Sequence, residues 1–196
     1  NVGVFLYEIA LLNAGLLEKF ILHWGFVPSS FLGNPLIKIP TLFSAMFLHG
    51  GVTHLGGNML YLWIFGDNVE DWYGHWRYAI FYLLCGLAAS FGQMATNIHS
   101  SMPTIGASGA IAGVLGSYFL LYPNARVLTL IPFGFFMRMV EIPAFFFLGF
   151  WFIMQMMSGT LSLGSQTGGV AWWAHIGGFL AGVGLLLIFR WRRRRY

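Results

Sequence analysis

A serine, two histidines and an asparagine stand in apolar or glycine-rich stretches of this sequence, in settings where their polarity is expensive. In His54-Leu55-Gly56-Gly57-Asn58 the histidine and asparagine fall at i and i+4, on one helix face, where both can donate hydrogen bonds into a common cavity. In Gly106-Ala107-Ser108-Gly109 the serine opens an apolar stretch. A helix N-terminus at that point offers free backbone N–H groups and the positive end of a dipole. In Ala174-His175-Ile176-Gly177-Gly178 the imidazole shares a helical stripe with Gly178 and Gly182. Acyl transfer requires a nucleophilic hydroxyl, a base within hydrogen-bond reach and donors aimed at a developing oxyanion. Ser108, His175 and the trio of His54, Asn58 and the Ser108 backbone N–H supply one of each. Plainer readings stand beside this one: a His–Asn contact between helices, an N-cap serine, and glycines that only pack helices. A zinc pair of His49 and His54 is poorly supported, because no cysteine or carboxylate lies near it in sequence.

The elements that must position these residues are membrane helices. Of 196 residues, 58% are hydrophobic and 8% are charged, against roughly 25% charged in soluble domains. That composition excludes a disordered chain and a nucleic-acid binder, and the single Cys85 excludes a disulfide scaffold or a multi-cysteine metal site. Six apolar stretches, about 2–22, 52–66, 77–96, 106–122, 140–157 and 171–190, predict an all-α, polytopic bundle of six spans forming one domain over 1–196. The second and fourth are short or glycine-rich, as expected for helices whose ends are enclosed by protein. Links are expected at 23–51, 67–76, 97–105, 123–139 and 158–170, and no internal repeat is visible.

Charge sets the expected orientation. Arg77, Arg126, Arg138 and the five arginines of the 190–196 tail fall on the side of the two termini, and only Lys19 and Lys38 on the other. Both termini are therefore expected in the cytoplasm, with the three clusters toward the outer face. A bacterial inner membrane is the simplest home for such a core with a basic, lipid-facing tail. Because the sequence starts with Asn rather than Met, it is expected to be part of a longer chain, with room for a soluble segment before it. Asp67, Glu70, Asp71 and Glu141 fall on the inner side, and no carboxylate is placed to orient His175. A Ser–His dyad is expected rather than a triad.

Small residues let helices approach closely in lipid. Gly109, Ala112, Gly113 and Gly116 in the fourth span, and Gly178 and Gly182 in the sixth, form such stripes. If they face each other, Ser108 and His175 meet near the outer surface.

In combination, these motifs resemble those of the rhomboid intramembrane serine proteases over essentially the whole chain. The residues that carry the resemblance are His54 with Asn58, Gly106-Ala107-Ser108-Gly109, and Ala174-His175-Ile176-Gly177-Gly178-Phe179 with Gly182. The resemblance implies Ser108 as nucleophile and His175 as general base. It implies an oxyanion hole of His54, Asn58 and the Ser108 N–H, a site shaped by Gly106, Gly109 and Gly178, and no metal or other cofactor. The implied activity is cleavage of single-span transmembrane proteins near their outer ends, with substrate entering sideways from the lipid bilayer. Phe145, Phe146, Phe147, Phe150 and Phe152 would form a gate, or simply face lipid, and the 158–170 loop a cap. Substrates with Gly, Pro or small residues near the outer boundary should unwind most readily.

Two positions depart from the family pattern. The 23–51 loop contains Trp24 but no Arg, whereas some members carry a Trp-Arg pair there; Trp76-Arg77 lies at the start of the third span. Ala112 stands where some members place a tyrosine against the base. The competing readings are a non-catalytic rhomboid-like protein that binds transmembrane helices, and a channel or transporter using the intramembrane His and Asn.

Overall fold

The computed structural model describes residues 1–134, 136–163 and 169–193, with the side chains of 191–193 excepted. Its helices are α1 (Val2–Asn13), α2 (Leu17–Trp24), α3 (Pro28–Gly33), α4 (Pro35–Ser44), α5 (Val52–Tyr73), α6 (His75–Thr96), α7 (Ser108–Leu121), α8 (Ala144–Leu161) and α9 (Trp172–Arg193). A 3-10 turn (Ala45–Phe47) follows α4, and strands β1 (Arg126–Phe133) and β2 (Phe136–Pro143) lie between α7 and α8. Helices α6, α8 and the Trp172–Arg190 part of α9 are long and apolar enough to cross a bilayer. Helix α5 passes the same test only together with Pro35–Phe47, which meets it at an 81° bend.

Four expected boundaries are corrected. The 2–22 span is two helices, because Gly15 takes a left-handed φ of +71° and ends the first after 12 residues. The 23–51 link carries α3, α4 and the 3-10 turn. The second span does not stop at 66: α5 runs 22 residues, to Tyr73. Phe65, Val69 and Tyr73 keep a buried stripe while Asp67 and Asp71 face outward. The 123–139 link is mostly an antiparallel hairpin, with Phe133 paired to Phe136 across the turn, so α8 begins at Ala144 rather than 140. The hairpin's alternating β-branched and large apolar residues are a strand pattern.

Helix α7 is the axis of the bundle. Residues 109–118 are buried without interruption, and at about 1.5 Å per residue its 14 residues reach about 21 Å, less than a ~30 Å hydrocarbon layer. It is enclosed by protein, as its glycine content predicts. A Cβ on Gly178 would collide with the Gly109 carbonyl, one on Gly182 with the Gly113 carbonyl, and one on Gly116 with the Phe179 carbonyl. The two glycine stripes do face each other. At that separation the backbones of α7 and α9 touch, and Ser117 Oγ–H donates to the Gly182 carbonyl at 3.0 Å. Below this crossing Phe65, Val69, Phe81, Leu115, Leu148 and Leu186 form the apolar core.

Residues 164–168 of the expected cap loop and the side chains of Arg192, Arg193, Arg194 and Arg195 in the expected tail lie outside the described residues.

Candidate active site

The close α7–α9 crossing carries Ser108 and His175 to the same end of the bundle, 2.8 Å apart from Oγ to Nε2. Ser108 is the first residue of α7; Ala107 occupies the N-cap position and makes no side-chain cap bond. The serine is therefore not a cap. Its hydroxyl meets the imidazole, and its N–H lies in the first turn, where no carbonyl precedes it within the helix.

The loop that delivers Ser108 is anchored by backbone pairing. Phe26 and Thr104 exchange N–H···O bonds of 3.1 and 2.8 Å, the Ser29 N–H donates to the Ser100 carbonyl, and the Gly106 N–H donates to the Ala45 carbonyl at 2.8 Å. The helical 23–51 segment thus braces the approach to the serine. Gly106 has a φ of +119°. A Cβ on it would lie 2.6 Å from His54 Nε2 and 3.7 Å from Asn58 Nδ2, so glycine is required here for both conformation and space. Gly109 packs on Ala89 and Ala174.

His54 and Asn58 both face this point. His54 Nδ1 accepts the Gly50 N–H at 3.2 Å, which puts the ring proton on Nε2, the nitrogen nearest Gly106. Asn58 is buried, and its Nδ2 has no hydrogen-bond partner among the described residues. Two N–H donors therefore converge beside Gly106, and an unpaired buried donor favours whatever acceptor enters. His49 packs edge-on to His54, with ring centroids 5.2 Å apart. Among the described residues no group of three or more His, Cys, Asp or Glu could hold a metal ion. The His49 N–H donates to both oxygens of the buried Glu8 carboxylate, each at 3.2 Å, which ties α1 to the link between the 3-10 turn and α5.

Two features of the His175 environment were not anticipated. In place of a ring at Ala112, Trp151 of α8 lies 6.0 Å from the imidazole, and Trp172 meets it edge-on at 6.3 Å. On the far side of the ring, Nδ1 is 2.7 Å from Gln155 Oε1. Gln155 was legible in one respect: it is the single polar side chain in the apolar run 144–157. The start of α9 is held by Gln93 Oε1, which accepts the Ala174 N–H. His54, Asn58, Gln93, Ser108, Trp151, Trp172 and His175 border a cleft of about 940 Å³ lined from α5, α6, α7, α8 and α9, with Tyr61, Leu115 and Trp151 on its apolar side.

The expected gate residues divide. Phe146 and Phe150 are 65% and 67% exposed, on the outward face of α8. Phe147 packs on Phe65 of α5, and Phe152 stacks on Phe179 of α9 at 4.6 Å.

Comparison with known proteins identifies a family. A rhomboid domain model matches residues 38–192. The chain is 33% identical over 128 residues, 65% of its length, to "Rhomboid protease GluP" of Bacillus subtilis (strain 168), covering 24% of that protein. It is 30% identical over 152 residues, 74% of its length, to "Rhomboid protein 1, mitochondrial" of Saccharomyces cerevisiae, covering 40% of it. It is 30% identical over 122 residues, 60% of its length, to "RHOMBOID-like protein 9, chloroplastic" of Arabidopsis thaliana, covering 27% of it. The chain thus spans between a quarter and two fifths of the length of these relatives. Their names place them in a bacterium, a mitochondrion and a chloroplast, so family membership does not favour the bacterial inner membrane expected above. Because the family model matches most of the chain, residues 38–192, the chain belongs to the rhomboid family of membrane proteins.

Proposed function

We propose that this chain is an intramembrane serine endopeptidase that cleaves transmembrane segments of other proteins near the outer membrane face. The observation that carries the reading is the 2.8 Å contact between Ser108 Oγ and His175 Nε2, at a cleft where two N–H donors converge. Ser108 Oγ–H gives its proton to His175 Nε2 as the oxygen attacks the scissile carbonyl carbon. The resulting oxyanion takes hydrogen bonds from His54 Nε2–H, Asn58 Nδ2–H and the Ser108 N–H. His175 passes its proton to the leaving amine, and the C-terminal fragment departs with its new amino terminus, leaving the N-terminal fragment esterified to Ser108 Oγ. Water then attacks the acyl-enzyme, its proton goes to His175, and the ester bond breaks with that proton restored to Ser108 Oγ.

Substrate enters from lipid between α5 and α8, where the cleft has an apolar wall, and unwinds locally to present its carbonyl. The arginine asymmetry supports cytoplasmic termini and a site toward the outer face. All of 1–196 acts as one six-span domain. The Glu8–His49 contact supports this for the part before residue 38.

The test is cleavage of a single-span substrate in proteoliposomes together with fluorophosphonate labelling of Ser108. Ser108→Ala and His175→Ala should each lower kcat by about 10⁴-fold or more and abolish labelling, in variants that melt like the parent. Wild-type cleavage by either sinks the proposal. Capture of intact substrate by the unmodified chain, with no cleavage and no labelling, indicates the helix-binding relative instead.

A further inference from the structure

The base in this site has a third partner, on the helix that borders the cleft. His175 Nδ1 lies 2.7 Å from Gln155 Oε1. The identity of the amide atom follows from its other bond: Gln155 Nε2 faces the Trp151 carbonyl at 3.4 Å, where only a donor fits. Oε1 can only accept, so the ring proton sits on Nδ1 and Nε2 is left bare toward Ser108 Oγ. The opposite tautomer would set two lone pairs against each other at Nδ1 and leave Nε2 unable to take the serine proton.

We infer that Gln155 is the positioning residue of a Ser108–His175–Gln155 relay, holding His175 in its reactive tautomer for as long as α8 lies against α9. The inference rests on the protease reading above. An amide suits this place because a buried carboxylate in an apolar helix carries a large desolvation cost, whereas a neutral acceptor fixes the tautomer without it. Gln155 is 6% exposed, and α8 buries otherwise only Ala144, Leu148 and Gly159. Beside this bond, the outer half of α8 meets α9 through Trp151 against His175 and Phe179, through Phe152 on Phe179, and through Trp173 Nε1–H donating to the Gly159 carbonyl at 3.1 Å. Any outward swing of α8 that widens the cleft therefore unhooks the base. Substrate entry and proton abstraction become sequential: the helix opens, substrate enters, and the relay is complete only when α8 returns.

The test compares Gln155→Leu and Gln155→Glu with the parent, as full chains in proteoliposomes, across a pH series. Leucine fills nearly the same volume but accepts no hydrogen bond. It should lower kcat roughly 10- to 100-fold with KM unchanged. It should also move the acid limb of the pH–rate profile to lower pH, because the imidazolium has lost an acceptor. Glutamate places a charge on Nδ1 and should move that limb to higher pH. Among the described residues that line the cleft, the other titratable side chains are His54 and Tyr61 of α5; α6 presents Gln93, α7 Ser108, and α8 and α9 the two tryptophans, all neutral. Opposite shifts in the two variants are thus specific to Nδ1. Parental kcat and unmoved limbs in both overturn the inference, and so does a fall in kcat without opposite shifts, which marks a packing loss. Should the leucine variant not fold, the glutamate profile decides alone. If Ser108→Ala retains cleavage, the protease reading fails and not the relay alone.

Discussion

Helices α7 and α8 border the same cleft and are built on opposite plans. Helix α7 is buried at ten consecutive residues and meets α9 with no side chain between the backbones at Gly109, Gly113, Gly178 and Gly182. Helix α8 buries four positions and turns Phe146, Phe150, Ile153 and Met157 outward. Ser108 and His175 therefore sit on a pair of helices that cannot slide, whereas Gln155 sits on one held by a few aromatic contacts. Interiors packed to contact are bistable rather than continuously deformable. On the proposed protease reading, a motion that admits substrate thus falls on α8 and leaves the Ser108–His175 pair in place throughout.

The contrast breaks most sharply at the glycines. Gly182→Val would drive a branched side chain into the Gly113 carbonyl, with no flexible neighbour to give way. Overpacking of this kind is expected to cost about 1–3 kcal/mol and to pull His175 from Ser108, abolishing cleavage. Thermal unfolding in detergent and Ser108 labelling measure the two effects, and a variant that melts with the parent and labels normally refutes the rigid-pair account.

A smaller loss is expected on the other side of the comparison. Phe152→Leu removes a ring stacked at 4.6 Å on Phe179 but keeps apolar volume, and should cost about 0.5–1.5 kcal/mol. Because the α7–α9 crossing is untouched, fluorophosphonate labelling should persist. Loss of labelling in a folded Phe152→Leu protein would show that α8 packing, and not the glycine crossing, sets the dyad. Smaller still, Phe150→Ala on the exposed face should change stability by less than about 0.5 kcal/mol.

The same contrast explains what could be read in the sequence. The glycine stripes, Ser108, His175, His54 and Asn58 were legible because each is costly in an apolar helix and the costs repeat at helical spacing. Gln155 carried the same signal, one amide among Phe and Met. An orienting group for a histidine is expected to be a carboxylate, and a neutral amide does not stand out as one. Glu8 was hidden by distance, since its partner is a backbone N–H 41 residues away that no side-chain pattern announces. The break at Gly15 and the continuation of α5 past Asp67 escape a reading by apolar stretches for one reason: such a stretch averages over a helix, whereas a left-handed glycine or a single buried stripe acts residue by residue. The hairpin is hard to read because Arg126, Pro132 and Arg138 have the look of a polar link, while its strand period lies in the residues between them.

That hairpin joins α7 to α8, and it provides the last way to separate them. Its base is closed by the Ala144 N–H donating to the Ala125 carbonyl at 2.8 Å and the Phe145 N–H to the Pro123 carbonyl at 3.0 Å. The start of α8 is therefore fixed to the end of α7 whatever lies beyond. Above that base the strands leave the bundle: Phe133, Phe136, Met137 and Met139 are all exposed, and the Arg126–Glu141 ion pair, at 3.8 Å with both side chains exposed, contributes little. Replacing residues 130–139 by Asn-Gly keeps the Thr129–Val140 pair, the strand parity at the turn and the buried Val127. Shortening a loop whose ends are already tied changes closure entropy only slightly. Stability should shift by no more than about 0.5 kcal/mol, about 2 °C in melting temperature, with labelling and cleavage as in the parent. A larger shift, or lost cleavage with labelling retained, would mean that the hairpin controls α8 directly. The freedom of that helix would then lie in its connection to α7 rather than in its sparse packing.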